Sequence, residues 1–95
     1  MANYLARVEL HKATSEDYET LHEAMRKRGF TRFIVSSGEK KKYRLPTGTY
    51  VVEGSSSTLY QAYDLAVAAA ADTGKSSWII VVDWQTARFS LDEVK

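Results

Sequence analysis

The order of strand-like and helix-like stretches in this 95-residue chain predicts an α+β domain of the ferredoxin-like plan, β-α-β-β-α-β. Three observations carry that prediction. Residues Tyr4 to Leu10 alternate with period two, as a strand with one face in a core does. Two later stretches repeat apolar residues at helical spacing, each preceded by hydroxyl side chains. The run Ser77–Trp84 is almost continuously apolar, as expected of a strand covered on both faces. The plan places two helices on one face of a four-stranded antiparallel sheet of order 4-1-3-2. Its other face is left to solvent, a partner chain or a ligand.

Taken in order, Tyr4, Ala6, Val8 and Leu10 make the inner side of the first strand, and Leu5, Arg7 and Glu9 the outer. Thr14-Ser15-Glu16-Asp17 opens a helix, with a hydroxyl cap and carboxylates in the first turn where the dipole favours them. Tyr18, Leu21, Met25 and, at the border, His22 form its apolar stripe, and Gly29 closes it. Arg32–Ser37 is β-branched and aromatic, hence the second strand, with Gly38-Glu39-Lys40 as a turn. Tyr43 and Leu45 extend that arm until Pro46, which lacks an N–H for a ladder. Pro46-Thr47-Gly48-Thr49 reads as a turn or bulge with Gly48 at positive φ. Tyr50–Glu53 is the third strand, ended by Gly54. Ser57 is the expected cap of a second helix whose stripe is Leu59, Ala62, Tyr63, Ala66, Val67 and Ala70. Gly74 ends it. After the fourth strand, Ala87–Leu91 admits a short fifth C-terminal strand, and residues 92–95 read as a frayed end.

The length suits one domain, residues 1–95, since two separate cores would each be too small to fold unaided. With no cysteine there are no disulfides, thiolate zinc sites or Cys nucleophiles. There is no apolar run of the ~20 residues a bilayer requires, nor a secretory core in MANYLARVELHK, so the expectation is a cytoplasmic protein with no membrane partner. Thirteen basic and twelve acidic residues give a net charge of +1, and bulk charge does not mark a nucleic-acid binder. The distribution is more pointed: Lys40, Lys41, Lys42 and Arg44, with Tyr43 among them, crowd one hairpin tip. Four cations and a ring at such a tip suit a phosphate backbone and a base. The ordinary alternative is a charged tip that blocks edge-to-edge aggregation.

Acid–base chemistry has few candidates. Glu9 closes the first strand, with Arg7 two residues before and His11 two after, so the three share a face if the strand runs that far. Glu9 suits a divalent metal, Mg2+, or the role of general base beside His11. A surface ion pair between Arg7 and Glu9 is the plain alternative. His22 is a second histidine candidate, on the border of the first helix. Tyr4, Tyr18, Tyr50, Tyr60, Tyr63, Trp78 and Trp84 are read mainly as core or half-buried residues rather than a stacking platform. No Gly-rich phosphate cradle and no serine-hydrolase arrangement exists in the chain.

The stretch YLARVELHKATSEDYETLHEAMRKRGFTRFIVSS followed by LPTGTYVVEGSSS resembles the GhoS-like endoribonuclease antitoxins of type V toxin–antitoxin systems. More broadly it is similar to the CRISPR-associated endoribonucleases of ferredoxin-like fold. The resemblance covers about residues 3–72 in pattern. It implies a homodimer formed through the sheet and an activity on RNA. Glu9 stands at the place of the family's strand-end aspartate, and His22 at that of a helix arginine, with Arg26 and Arg28 further along.

Together these readings predict a small RNA-binding, endoribonuclease-like protein of antitoxin or mobile-element type. Glu9, His11 and His22 would be catalytic, Glu9 would hold Mg2+, and Arg7, Arg28, Lys40, Lys41, Lys42, Tyr43 and Arg44 would bind RNA. The alternative is a non-enzymatic phage or mobile-element adaptor that docks on a protein partner through its sheet face.

Overall fold

The computed structural model describes residues 1–36, 38 and 40–94. Ser37, Glu39 and Lys95, the expected end of the second strand, middle of its turn and end of the tail, lie outside the described residues. The elements run β1 (Ala2–Leu10), α1 (Ser15–Lys27), β2 (Phe33–Val35), β3 (Lys42–Arg44), β4 (Thr49–Ser55), α2 (Leu59–Ala71) and β5 (Ser77–Trp84). The chain is α+β, and its strand order is compatible with a ferredoxin-like plan. None of the helices among the described residues is long and apolar enough to cross a membrane.

The expected four-stranded sheet is not formed. The sheet has three antiparallel strands in the order β4-β1-β5, and β2 and β3 make a separate two-stranded hairpin. One bridge, Thr31 to Val51, links the hairpin stem to β4, through Thr31 N–H to Val51 O at 2.8 Å and Val51 N–H to Thr31 O at 2.9 Å. Beyond that point the arm leaves the ladder. Ile34 and Leu45 bury themselves against Val51, with Leu5, Tyr43, Trp84 and Leu91 packed around them. Leu5 pairs with Val51, so this second, smaller core lies on the sheet face away from the helices. Burying those side chains competes with extending the ladder of β4, and burial prevails.

The principal core is on the helix side. Tyr4, Ala6, Val8 and Leu10 of β1 meet Leu21, Ala24 and Met25 of α1, Tyr50 of β4, and Ala62, Ala66, Ala69 and Ala70 of α2. The alternation of β1 was legible, and both helices form where expected. Thr14 caps α1 in a capping box with Asp17. The cap of α2 is Thr58, with Gln61 completing its box, and this corrects the expected Ser57. Thr58 has its oxygen three residues before the N–H of Gln61, and Gln61 reaches back to Thr58 N–H; a Ser57 cap lacks that reciprocal partner.

The loop before β4 brings two backbones close together. Thr49 N–H donates to Pro46 O at 2.9 Å, and Val8 N–H to Gly48 O at 2.7 Å. Gly48 has φ +85, and a Cβ there would stand 2.5 Å from Val8 O. Glycine is therefore required twice over, for the dihedral and for the approach. Farther along β4 the register shifts between Ala2 and Tyr4. Gly54, at φ +64, forms the bulge there, and its N–H donates to Asn3 Oδ1 at 3.0 Å.

Two further expectations are corrected. Residues Ala87–Leu91 form no strand; instead the tail lies beside β3, bridging at Tyr43–Glu93, with Arg44 N–H donating to Asp92 O and Val94 N–H to Lys42 O. And β5, read as covered on both faces, is covered on one. It is an edge strand, and its even-numbered residues from Trp78 to Val82 face away from the helices and remain exposed.

Candidate nucleic-acid interface

The antiparallel pairing of β1 with β5 decides which side chains meet on the open face. Leu5 stands opposite Val82, Arg7 opposite Ile80, and Glu9 opposite Trp78. Arg7 and Glu9 are both exposed, and Arg7 is a diagonal neighbour of Trp78, within about 7–8 Å across the ladder. Among the described residues Arg7 and Glu9 form no ion pair. Trp78 is 71% exposed and Ile80 59%.

His11 completes this end of the face. Its backbone N–H donates to Ser76 O at 2.9 Å, and its Nδ1 lies 3.2 Å from Ser76 Oγ. Its ring meets Trp78 edge-on, with centroids 4.8 Å apart and planes at 85°. Nε2 is enclosed with no hydrogen-bond partner. The His11 contact braces the indole, which remains 71% exposed. Lys12, in a left-handed conformation at φ 52, is exposed just beyond.

Of the residues expected to act together, Arg7, Glu9 and His11 do share one face of the sheet. His22 does not join them. Its Nδ1 is 2.6 Å from the hydroxyl of Tyr50, and Tyr50 pairs with Ala6 on the helix side. Burial first, then the Arg32 guanidinium, holds the His22 pKa below the ordinary imidazole value, while Glu19 pulls the other way. Burial raises the Tyr50 pKa, so the phenol stays protonated beside the His22 ring. His22 opens onto a cleft of about 210 Å³ that Glu19, Arg26, Arg32 and Phe33 also line.

The expected basic tip is distributed rather than concentrated. Strand alternation in β3 turns Lys42 and Arg44 outward and Tyr43 inward. Tyr43 packs 5.1 Å from Phe89, centroid to centroid, which removes the ring expected to stack on a base. Lys41 Nζ lies 3.9 Å from Glu93 Oε1, and Lys42 Nζ sits 5.1 Å over the Phe33 ring. Lys40 faces a cleft of about 630 Å³ shared with Glu53, Trp84 and Phe89. That cleft is at the Asn3–Trp84 end of the sheet, about 20 Å along the strands from Glu9 and Trp78. Arg28 is committed elsewhere, with Nη1 donating to Ala24 O at 3.0 Å and paired with Asp72 at 3.1 Å.

A magnesium site does not fit this arrangement within one chain. Hard divalent cations take several oxygen ligands, and among the described residues no three His, Asp or Glu side chains converge. Glu9 has Trp78, not a second acid, as its facing neighbour.

Trp78 is the residue that sequence reasoning missed. The signal was present in the expected strand order, which puts the last strand at an edge. There the helices cover one face only, so an unbroken apolar run leaves every second side chain uncovered. No known family model matches the chain, and neither a curated protein nor a solved structure is significantly similar to it.

Proposed function

We propose that this protein binds single-stranded RNA on the open face of its sheet. The observation that carries the reading is the exposed Trp78 ring, steadied by His11 and flanked diagonally by Arg7. Single-stranded nucleic acids are held by aromatic faces on which bases stack and by cations that follow the backbone. Trp78 supplies the ring; Arg7, Lys12 and the more distant Lys40 and Lys42 supply exposed cations. Glu9, opposite Trp78, would face the base side of a strand rather than its phosphates. Cleavage is the less supported part of the reading, because His22 is on the far side of the sheet and His11 Nδ1 is engaged by Ser76.

The test uses the tryptophans themselves. Titrating an unstructured RNA oligonucleotide into the Trp84→Phe variant should quench the remaining Trp78 fluorescence, and added salt should reverse it. Base–aromatic stacking is worth about 1–3 kcal/mol, so Trp78→Ala should weaken retention of labelled RNA roughly 5- to 150-fold. No quenching together with no salt-dependent retention would overturn the proposal. Incubation with and without magnesium, alongside Glu9→Ala, decides cleavage: products that disappear with Glu9→Ala add the nuclease activity. A second reading, docking of a protein partner on the same face, is favoured by the exposure of Ile80 and Val82. It gains if Trp78 fluorescence is indifferent to RNA.

A further inference from the structure

The outer edge of β5 is unusually unguarded. Among the described residues it pairs with no strand, and it carries no lysine, proline or bulge of the kind that keeps natural edges apart. SWIIVVDW has a single charge, Asp83, and its register with β1 runs unbroken from Asn3 to Leu10. The helix above it is equally unguarded. α2 packs over β1 and β5, and the Asp72–Arg28 ion pair fixes which of its flanks faces α1. At about 100° per residue, Tyr60, Tyr63 and Val67 fall on the other flank, above the free edge. They are 82%, 44% and 38% exposed.

We infer that β5 pairs antiparallel with β5 of a second copy of this chain. Two three-stranded sheets then become one of six strands, with α2 against α2 across the two-fold axis. This inference is independent of the RNA reading. Self-pairing on a two-fold axis requires facing residues to lie on the same side of the sheet. Two central registers satisfy that. Centred on Val81, Ile79 faces Asp83, a buried-side apolar residue against a carboxylate. Centred on Ile80, Ile80 faces its own copy, Trp78 faces Val82, Ile79 faces Val81, and Ser77 faces Asp83 with a hydroxyl to offer. The second register opposes no like charges and is the one we assign.

The covered side-chain surface lies on the helix side. Applying the exposed fractions of Tyr60, Tyr63 and Val67 to ~250 Å² per aromatic residue, and less per aliphatic one, gives roughly 370 Å². The paired strand backbones add to it, while Trp78, Ile80 and Val82 stay on the open face and meet their counterparts side by side. The alternative occupant, an extended peptide from another protein, would cover the edge but offer nothing for the α2 stripe.

The chain has no cysteine, which makes the register testable without background. In the assigned pairing the two residues 80 have Cα atoms about 4.5–5.5 Å apart, within reach of a disulfide. Ile80→Cys should therefore cross-link to a covalent dimer under mild oxidation and revert with reductant, while Trp78→Cys should not. Light scattering on the unmodified protein should give twice 10.7 kDa. Val67→Lys, an exposed helix position, should lower the dimer population at least tenfold while leaving the circular dichroism unchanged. A monomer at all accessible concentrations would overturn the inference, as would a dimer indifferent to both Val67→Lys and Ile80→Lys. Efficient cross-linking by Val81→Cys but not Ile80→Cys would overturn the register. RNA retention measured in parallel separates these outcomes from the fate of the binding proposal.

Discussion

Replacing Gly48 by alanine isolates the junction that sets β4 against β1. The new methyl would sit 2.5 Å from Val8 O and 3.7 Å from the Tyr18 ring, at φ +85. A left-handed dihedral costs an L-residue about 1–2 kcal/mol. The contact with a backbone oxygen cannot be relieved by turning a side chain. The two backbones must part, and the Val8–Gly48 hydrogen bond of 2.7 Å goes with them, for about 1–3 kcal/mol more where a buried group is left unpaired. The sum, roughly 2–5 kcal/mol, is a large fraction of the ~5–14 kcal/mol expected of a domain this size. Gly54→Ala is the matched control. It has φ +64 and nothing within 4 Å of the added Cβ, so it should cost only the dihedral, about 1–2 kcal/mol. Urea unfolding of the two variants should separate them by about 1–3 kcal/mol with equal m values. Equal midpoints would refute the argument that close approach, rather than backbone conformation, dictates glycine at residue 48.

Three further outcomes are expected. Thr58→Ala removes the α2 cap and half of its capping box, at about 1 kcal/mol, and thermal unfolding should show the midpoint about 4–8 °C lower; Ser57→Ala should leave it unmoved. Tyr50→Phe deletes a hydroxyl whose partner is the half-buried His22 Nδ1, so chemical denaturation should show a loss of about 1 kcal/mol. Because the folded His22 pKa is depressed from 6.5, the unfolded chain binds its proton first as pH falls. The stability due to the neutral ring is present above pH 6.5, declines below it, and levels off under the folded value. Melting curves of wild type and His22→Gln across that range should converge towards acid pH; parallel curves would dismiss the neutral ring.

How much was legible in the residues depends on whether local chemistry or a distant competitor decided each element. Thr14 with Asp17, Gly48 after Pro46, and the alternation of β1 are settled by neighbours in sequence, and all three stand as read. The second strand was not. Arg32–Ser37 has strand chemistry, but whether it extends β4 or folds over the open face depends on Val51, Leu5 and Trp84, all distant in the chain. The same competition explains the tail, where Phe89 and Leu91 find partners in Tyr43 and the second core instead of forming a ladder of their own. The expected basic tip is dispersed for a related reason: counting charges in Lys40–Arg44 ignores that a strand turns alternate residues to opposite sides. Tyr43 went inward, and Glu93 arrived beside Lys41.

The apolar residues of the last strand and second helix carry the most instructive discrepancy. Leu59, Tyr63 and Val67 fit a helical core stripe and Trp78, Ile80 and Val82 a doubly covered strand, yet each is at least a third exposed. Read within one chain, those residues contradict the pattern that predicted them. The alanines at 62, 66, 69 and 70 resolve the helix half of the contradiction. Being small, they let α2 lie close on the sheet, and they leave the larger side chains of the same helix pointing past its edge. A helix apolar on most of its circumference belongs in a larger core than 95 residues supply. In the proposed pairing, a two-fold copy at the β5 edge covers Tyr63 and Val67 on the helix side and sets Ile80 beside its own copy on the open face. Trp78, at the end of the strand beside Arg7 and His11, is then the apolar residue least accounted for by packing and the one most available to a ligand.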